Sequence, residues 1–104
     1  MRRIQYFITL ADEDDRIRVD FETDHGDVVR LYRVQYETRV QGIWRPVARY
    51  DTAHGFFHID IYTVRGLMKY RVEIGDLSEA LTFAINDLKT NWQLYKQQLL
   101  RGSR

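Results

Sequence analysis

The chain has 104 residues, no cysteine and nearly balanced charge, with sixteen Lys and Arg against fifteen Asp and Glu for a net +1. That length supports one core burying roughly 65% of the unfolded surface, and the missing thiols exclude disulfides and thiolate metal sites. The charge balance argues against the diffuse polyanion attraction of a strongly basic domain, and no stretch reaches the ~7–15 apolar residues of a signal peptide or the ~20 of a membrane span.

A soluble, cytoplasmic protein with no membrane partner is therefore expected. Thirteen of the sixteen basic residues are arginine, a composition that fits either compositional bias or phosphate recognition by guanidinium forks. No repeat, linker or low-complexity tract interrupts the chain, so residues 1–104 read as a single domain.

Ile4, Tyr6, Ile8 and Leu10 alternate with Arg3, Gln5 and Thr9, the period of two of a strand. The acidic run at 12–15 breaks this pattern and reads as a solvated loop. Ile17, Val19 and Phe21 then alternate with Arg16, Arg18, Asp20 and Glu22, a strand buried on one face. A turn at 24–27 leads into a long strand, 28–40, with Tyr32, Val34, Tyr36, Thr38 and Val40 expected on one side. After Gln41-Gly42, Trp44, Ala48 and Tyr50 are expected to share a face opposite Arg45, Arg49 and Asp51. Pro46 donates no ladder hydrogen bond, which places that strand at an edge or gives it a bulge.

Residues 52–55 turn the chain again. Phe57, Ile59 and Ile61 alternate with His58, Asp60 and Tyr62, and Met68, Tyr70, Val72 and Ile74 alternate with Lys69, Arg71 and Glu73. Then the period changes. Asp76 is a candidate N-cap with Glu79 three residues on, and Leu77, Leu81, Ala84, Ile85, Leu88, Trp92, Tyr95 and Leu99 recur at helical spacing. The fold expected is α+β: an antiparallel meander of about six strands over 3–74, and one amphipathic helix over 77–100 stopping near Gly102. At ~1.5 Å per residue the helix is ~36 Å long, enough to lie across one face of the whole sheet. The other face is expected to be wet.

The densest polar group lies at 51–60. His58 and Asp60, two apart in a strand, share a face. A hairpin turn at 52–55 brings Asp51 and Arg49 alongside, and Lys69 and Arg71 join from the next strand. His54, His58, Asp51 and Asp60 are the catalytic candidates, since imidazoles beside carboxylates have the parts for acid–base chemistry. Arg49, Lys69, Arg71 and Tyr62 are the candidates for holding phosphate or ligand. Three readings stay open: a solvated face of cross-strand ion pairs, phosphodiester chemistry on RNA, or a metal held by His54, His58, Asp51 or Asp60. No metal and no cofactor is assigned.

Residues 49–60, Arg-Tyr-Asp-Thr-Ala-His-Gly-Phe-Phe-His-Ile-Asp, resemble a family of small uncharacterised prokaryotic proteins in which a D-x-A-H-G-x-x-H-x-D block precedes a C-terminal helix. That resemblance extends over about 49–99. The same dozen residues are loosely similar to the D-N-A-x-H…H-x-H region of TumE-type toxins, although Asp60 stands where that pattern has a histidine. The toxin similarity implies an RNA-directed nuclease carried with an antitoxin-like protein. The leading expectation is thus a protein that binds or cleaves RNA, or another phosphate-bearing ligand, on its open sheet face. The alternative is a non-catalytic interaction module acting as a homodimer.

Overall fold

A computed structural model describes residues 1–101. The strands are β1 (Arg2–Thr9), β2 (Asp15–Asp24), β3 (Asp27–Val40), β4 (Ile43–Asp51), β5 (His58–Thr63) and β6 (Gly66–Arg71), followed by α1 (Leu77–Leu100). Each strand pairs antiparallel with its neighbour in sequence, in the order β1-β2-β3-β4-β5-β6. The expected α+β meander with one C-terminal helix is what the chain forms. The β2–β3 and β3–β4 turns have positive φ at both central residues, His25-Gly26 and Gln41-Gly42, the turn hand that matches strand twist.

Asp76 caps the helix, its side chain accepting the Glu79 N–H at 2.8 Å. Ala80, Ala84 and Leu88 are its buried residues, and the small side chains at 80 and 84 allow close approach to the sheet. Ile17, Val19, Leu31, Val34, Tyr36, Val47, Ala48 and Tyr50 meet them from below. Tyr36 meets the Trp92 ring edge-on at 5.8 Å, and Tyr50 stacks on Phe57 at 5.2 Å. Carboxylates fasten this seam at two points. Asp87 accepts from the Tyr50 and Tyr95 hydroxyls at 2.6 and 2.7 Å, and Asp15 accepts from Tyr36 at 2.5 Å and from Lys96 at 3.1 Å. Burial, then these carboxylates, pushes the Tyr36, Tyr50 and Tyr95 hydroxyls well above their ordinary pKa.

The chain departs from its sequence pattern in five places. The helix packs on β2, β3, β4 and β5 and leaves β6 exposed along its whole length. β6 stops at Arg71, so Val72 and Ile74 pack against the core from outside the sheet. A register shift pairs Asp20 with Arg33 but Phe21 with Leu31. Leu31 therefore takes the core position, and Tyr32 turns to the other face, where the Arg3 guanidinium lies 4.3 Å from its ring. A further shift, in the β3–β4 pairing, falls beside Pro46, where Tyr36 pairs with Ala48 but Glu37 with Pro46. It turns Trp44 out of the core and stacks it on Arg16 at 3.8 Å. Asp15, finally, is fully buried rather than solvated. The expected helix stop at Gly102 lies outside the described residues.

Candidate functional site

Strand alternation sends a set of polar side chains to the face that α1 leaves uncovered. Arg18, Gln35, Arg49, Asp60 and Lys69 form one row across β2 to β6, and His58 stands between Asp51 and Arg71 in the next. This face is not simply wet. Asp20, Gln35, Glu37, Asp51, His58 and Asp60 are all buried, and arginine side chains bond three of them, Asp20, Glu37 and Asp51. Arg3 donates two hydrogen bonds to Asp20, at 2.9 and 2.8 Å, and Arg16 donates one to Glu37 at 2.8 Å. The Arg3 bonds, aided by Gln5, hold the Asp20 carboxyl below its usual range.

At the β4–β5 end, Asp51, His58 and Asp60 converge. His58 is only 1% exposed. Its Nε2 lies 3.1 Å from Asp51 Oδ1 and 3.7 Å from Asp60 Oδ1, while its Nδ1 is 3.2 Å from the Phe56 carbonyl. Asp51 is held from two sides: Ala53 N–H donates to Oδ1 at 2.9 Å and Arg49 Nε to Oδ2 at 2.8 Å. Lys69 closes the group, with Nζ 3.2 Å from Asp60 Oδ1 and 3.5 Å from His58 Nε2. The Lys69–Asp60 contact is an ion pair without hydrogen-bond alignment, and Asp60 Oδ1 is buried with no hydrogen-bond donor.

Beside this centre, three guanidinium groups crowd together. Arg33 Nε is buried and has no acceptor. Its guanidinium is held below its ordinary pKa first by burial, then by the charges of Arg49 and Arg18, with Asp20 and Glu37 opposing weakly. A cleft of about 390 Å³ opens alongside, lined by Arg30, Tyr32, Arg49, Thr52 and Ala53.

The structure thus brings Asp51, His58, Asp60, Arg49 and Lys69 into one bonded group. His54 lies in the exposed turn with its ring 5.6 Å from that of His58. Arg71 stands over the Phe56 ring at 5.1 Å and pairs with Glu73 at 3.1 Å, so it covers the rim rather than the centre. Tyr62 lies half-buried on the same face, next to Leu67 of β6. Sequence reasoning passed over Arg18, Arg33 and Tyr32. The alternation of 16–22 and of 28–40 carried the signal for Arg18 and Arg33, whereas the β2–β3 register shift concealed Tyr32.

No curated protein and no solved structure matches the chain. A family model does, over residues 1–104: the chain belongs to the family described as "Domain of unknown function (DUF7718)".

Proposed function

We propose that this protein binds a phosphate-bearing ligand, RNA foremost, across the sheet face that the helix leaves open. One observation carries the reading: the buried, acceptor-less Nε of Arg33 between the charges of Arg18 and Arg49. Burying a donor without a partner and crowding like charges are both costly, and an anion offsets both. Although the whole chain is near neutral, Arg3, Arg16, Arg18, Arg30, Arg33, Arg49, Lys69 and Arg71 outnumber Asp20, Glu22, Glu37, Asp51 and Asp60 on this face. Rings interleave with these cations at Phe7, Tyr32, Trp44 and Phe56, the combination that stacks single-stranded bases above a phosphate track.

Fluorescence anisotropy with a short single-stranded RNA tests this. Wild type binds with strong salt dependence, and Arg33→Gln or Arg18→Gln weakens binding across sequences and lowers the log–log salt slope by about one. Absence of binding at low salt, or affinity unchanged in both variants, sinks the reading. Its stronger form is a toxin-type nuclease held in check by an antitoxin-like protein, with His54 and His58 as acid and base. His54 is the exposed member and so the one able to touch a phosphodiester. RNA cleavage lost in His54→Ala, with binding retained, supports that form, and unchanged cleavage removes it.

A second reading, a non-catalytic homodimeric module, is favoured by β6. Every residue of this edge strand is exposed, Leu67, Met68 and Tyr70 among them, and an uncovered apolar edge invites strand pairing.

A further inference from the structure

We propose that Asp51 Oδ1, His58 Nε2 and Asp60 Oδ1 form a site for one divalent metal ion of the zinc or manganese class, with Lys69 as the cation that holds the position in its absence. The inference does not rest on the arginine cluster that carries the phosphate reading, although His58 and Lys69 figure in both.

Three acceptor atoms from Asp51, His58 and Asp60 lie within 4.8 Å of one another. Ligand atoms bound at ~2.1 Å, at octahedral or tetrahedral angles, stand about 3.0–3.4 Å apart. Of the separations from His58 Nε2, the 3.1 Å to Asp51 Oδ1 falls within that span, and the 3.7 Å to Asp60 Oδ1 lies just beyond it, close enough for a small inward movement to close. The tautomer fits as well. A hydrogen on Nδ1 is directed to the Phe56 carbonyl at 3.2 Å, which leaves the Nε2 lone pair facing the carboxylates. A histidine that ligates metal is oriented in this way, by giving its second ring N–H to a backbone carbonyl. Asp51 is braced likewise by Ala53 N–H and Arg49. Asp60 Oδ1 supplies the independent sign: it belongs to a residue only 8% exposed, points into the group and receives no hydrogen bond.

Acceptors this close repel unless a positive centre stands among them. A hydrogen on Nε2 would serve, and so does the Lys69 ammonium, 3.2 Å from Asp60 and 3.5 Å from His58. Its side chain is 39% exposed on an edge strand, free to swing outward when a doubly charged ion takes its place. Two carboxylates and one imidazole would neutralise that ion and leave coordination positions for water or a phosphate oxygen.

The test is calorimetric titration of the full chain with zinc chloride and, separately, manganese chloride. We expect one ion per chain and a raised thermal midpoint. Lys69→Met, which keeps the stem and removes the charge, should bind about tenfold tighter, and His58→Gln or Asp60→Asn at least about tenfold weaker. His25→Ala and His54→Ala should bind as wild type. Since substitution at buried His58 or Asp60 can disturb folding, Lys69→Met is the deciding variant. The proposal is overturned if neither metal binds wild type or Lys69→Met, if removing the Lys69 charge leaves affinity unchanged, or if binding is lost with His25 or His54.

Discussion

Asp15 shows how much one buried carboxylate can fasten. It ends the acidic run yet is fully buried, accepting from Tyr36 and Lys96. Burial alone would raise its pKa, but hydrogen bonds from Tyr36 and Lys96, with the Thr38 hydroxyl close by, outweigh it and hold the carboxyl below its ordinary 3.8. Asp20, under Arg3, is depressed too. A carboxylate depressed by folding adds stability that is complete above the unfolded pKa and is lost as pH falls through the folded one. Urea midpoints should therefore hold steady above about pH 4 and drop below it. Asp15→Asn should cost about 1.5–3 kcal/mol at pH 7 and flatten the acid limb, because the charge-assisted bonds are already gone. An unchanged acid limb in that variant would count against this account. Asp15 looked solvated in sequence because its partners stand 21 and 81 residues away, and no local pattern reports contacts at such range.

The elements themselves were readable, and their faces only partly so. Helix and strand periods located all six strands and α1, since each buries one side and exposes the other. A turn at 52–55 and alternation brought Asp51 and Arg49 alongside the next strand but gave the wrong register. The connection runs through 52–57, so Asp51 pairs with His58 rather than Phe56, and Arg49 with Asp60. Alternation fails where a residue is added to a strand. The β2–β3 shift at Asp20 moved Tyr32 to the open face and the extra residue in β4, Val47, moved Trp44 there, and only the Pro46 position carried a sequence sign of its bulge. Burial of His58 was also concealed, because its neighbours are the Phe56 and His54 rings, at 5.2 and 5.6 Å, and Lys69 of the edge strand, which composition marks as surface. At the helix seam, Leu88 is fully buried, one turn beyond Ala84 and one before Trp92. Leu88→Ala should cost about 2–4 kcal/mol in chemical denaturation, against less than ~0.5 kcal/mol for Lys89→Ala on the exposed side. Equal losses at the two positions would mean that the seam is not where the stability lies.

For the whole molecule, the decisive asymmetry is that one helix covers four of six strands. The described helix is not long and apolar enough to cross a membrane, and β6 with its apolar residues is exposed. If β6 is a pairing edge, the chain sediments as a dimer at micromolar concentration. Met68→Lys with Tyr70→Lys then returns it to a monomer without loss of secondary structure. A wild-type monomer at that concentration removes the homodimer reading while leaving the open face as it is.

The meander order has a consequence for where damage can fall. Because each strand pairs with its neighbour in the chain, every ligating and bracing atom of the Asp51–His58–Asp60 centre comes from residues 49–69, one contiguous run that closes through local hairpins. The arginine cluster, by contrast, draws Arg18 and Arg33 from strands earlier in the chain. Lesions before β4 therefore leave every proposed metal ligand in place and reach the centre through β3, whose Tyr32 carbonyl accepts from Arg49 at 3.4 Å, whereas the proposed anion surface draws residues from both halves of the polypeptide.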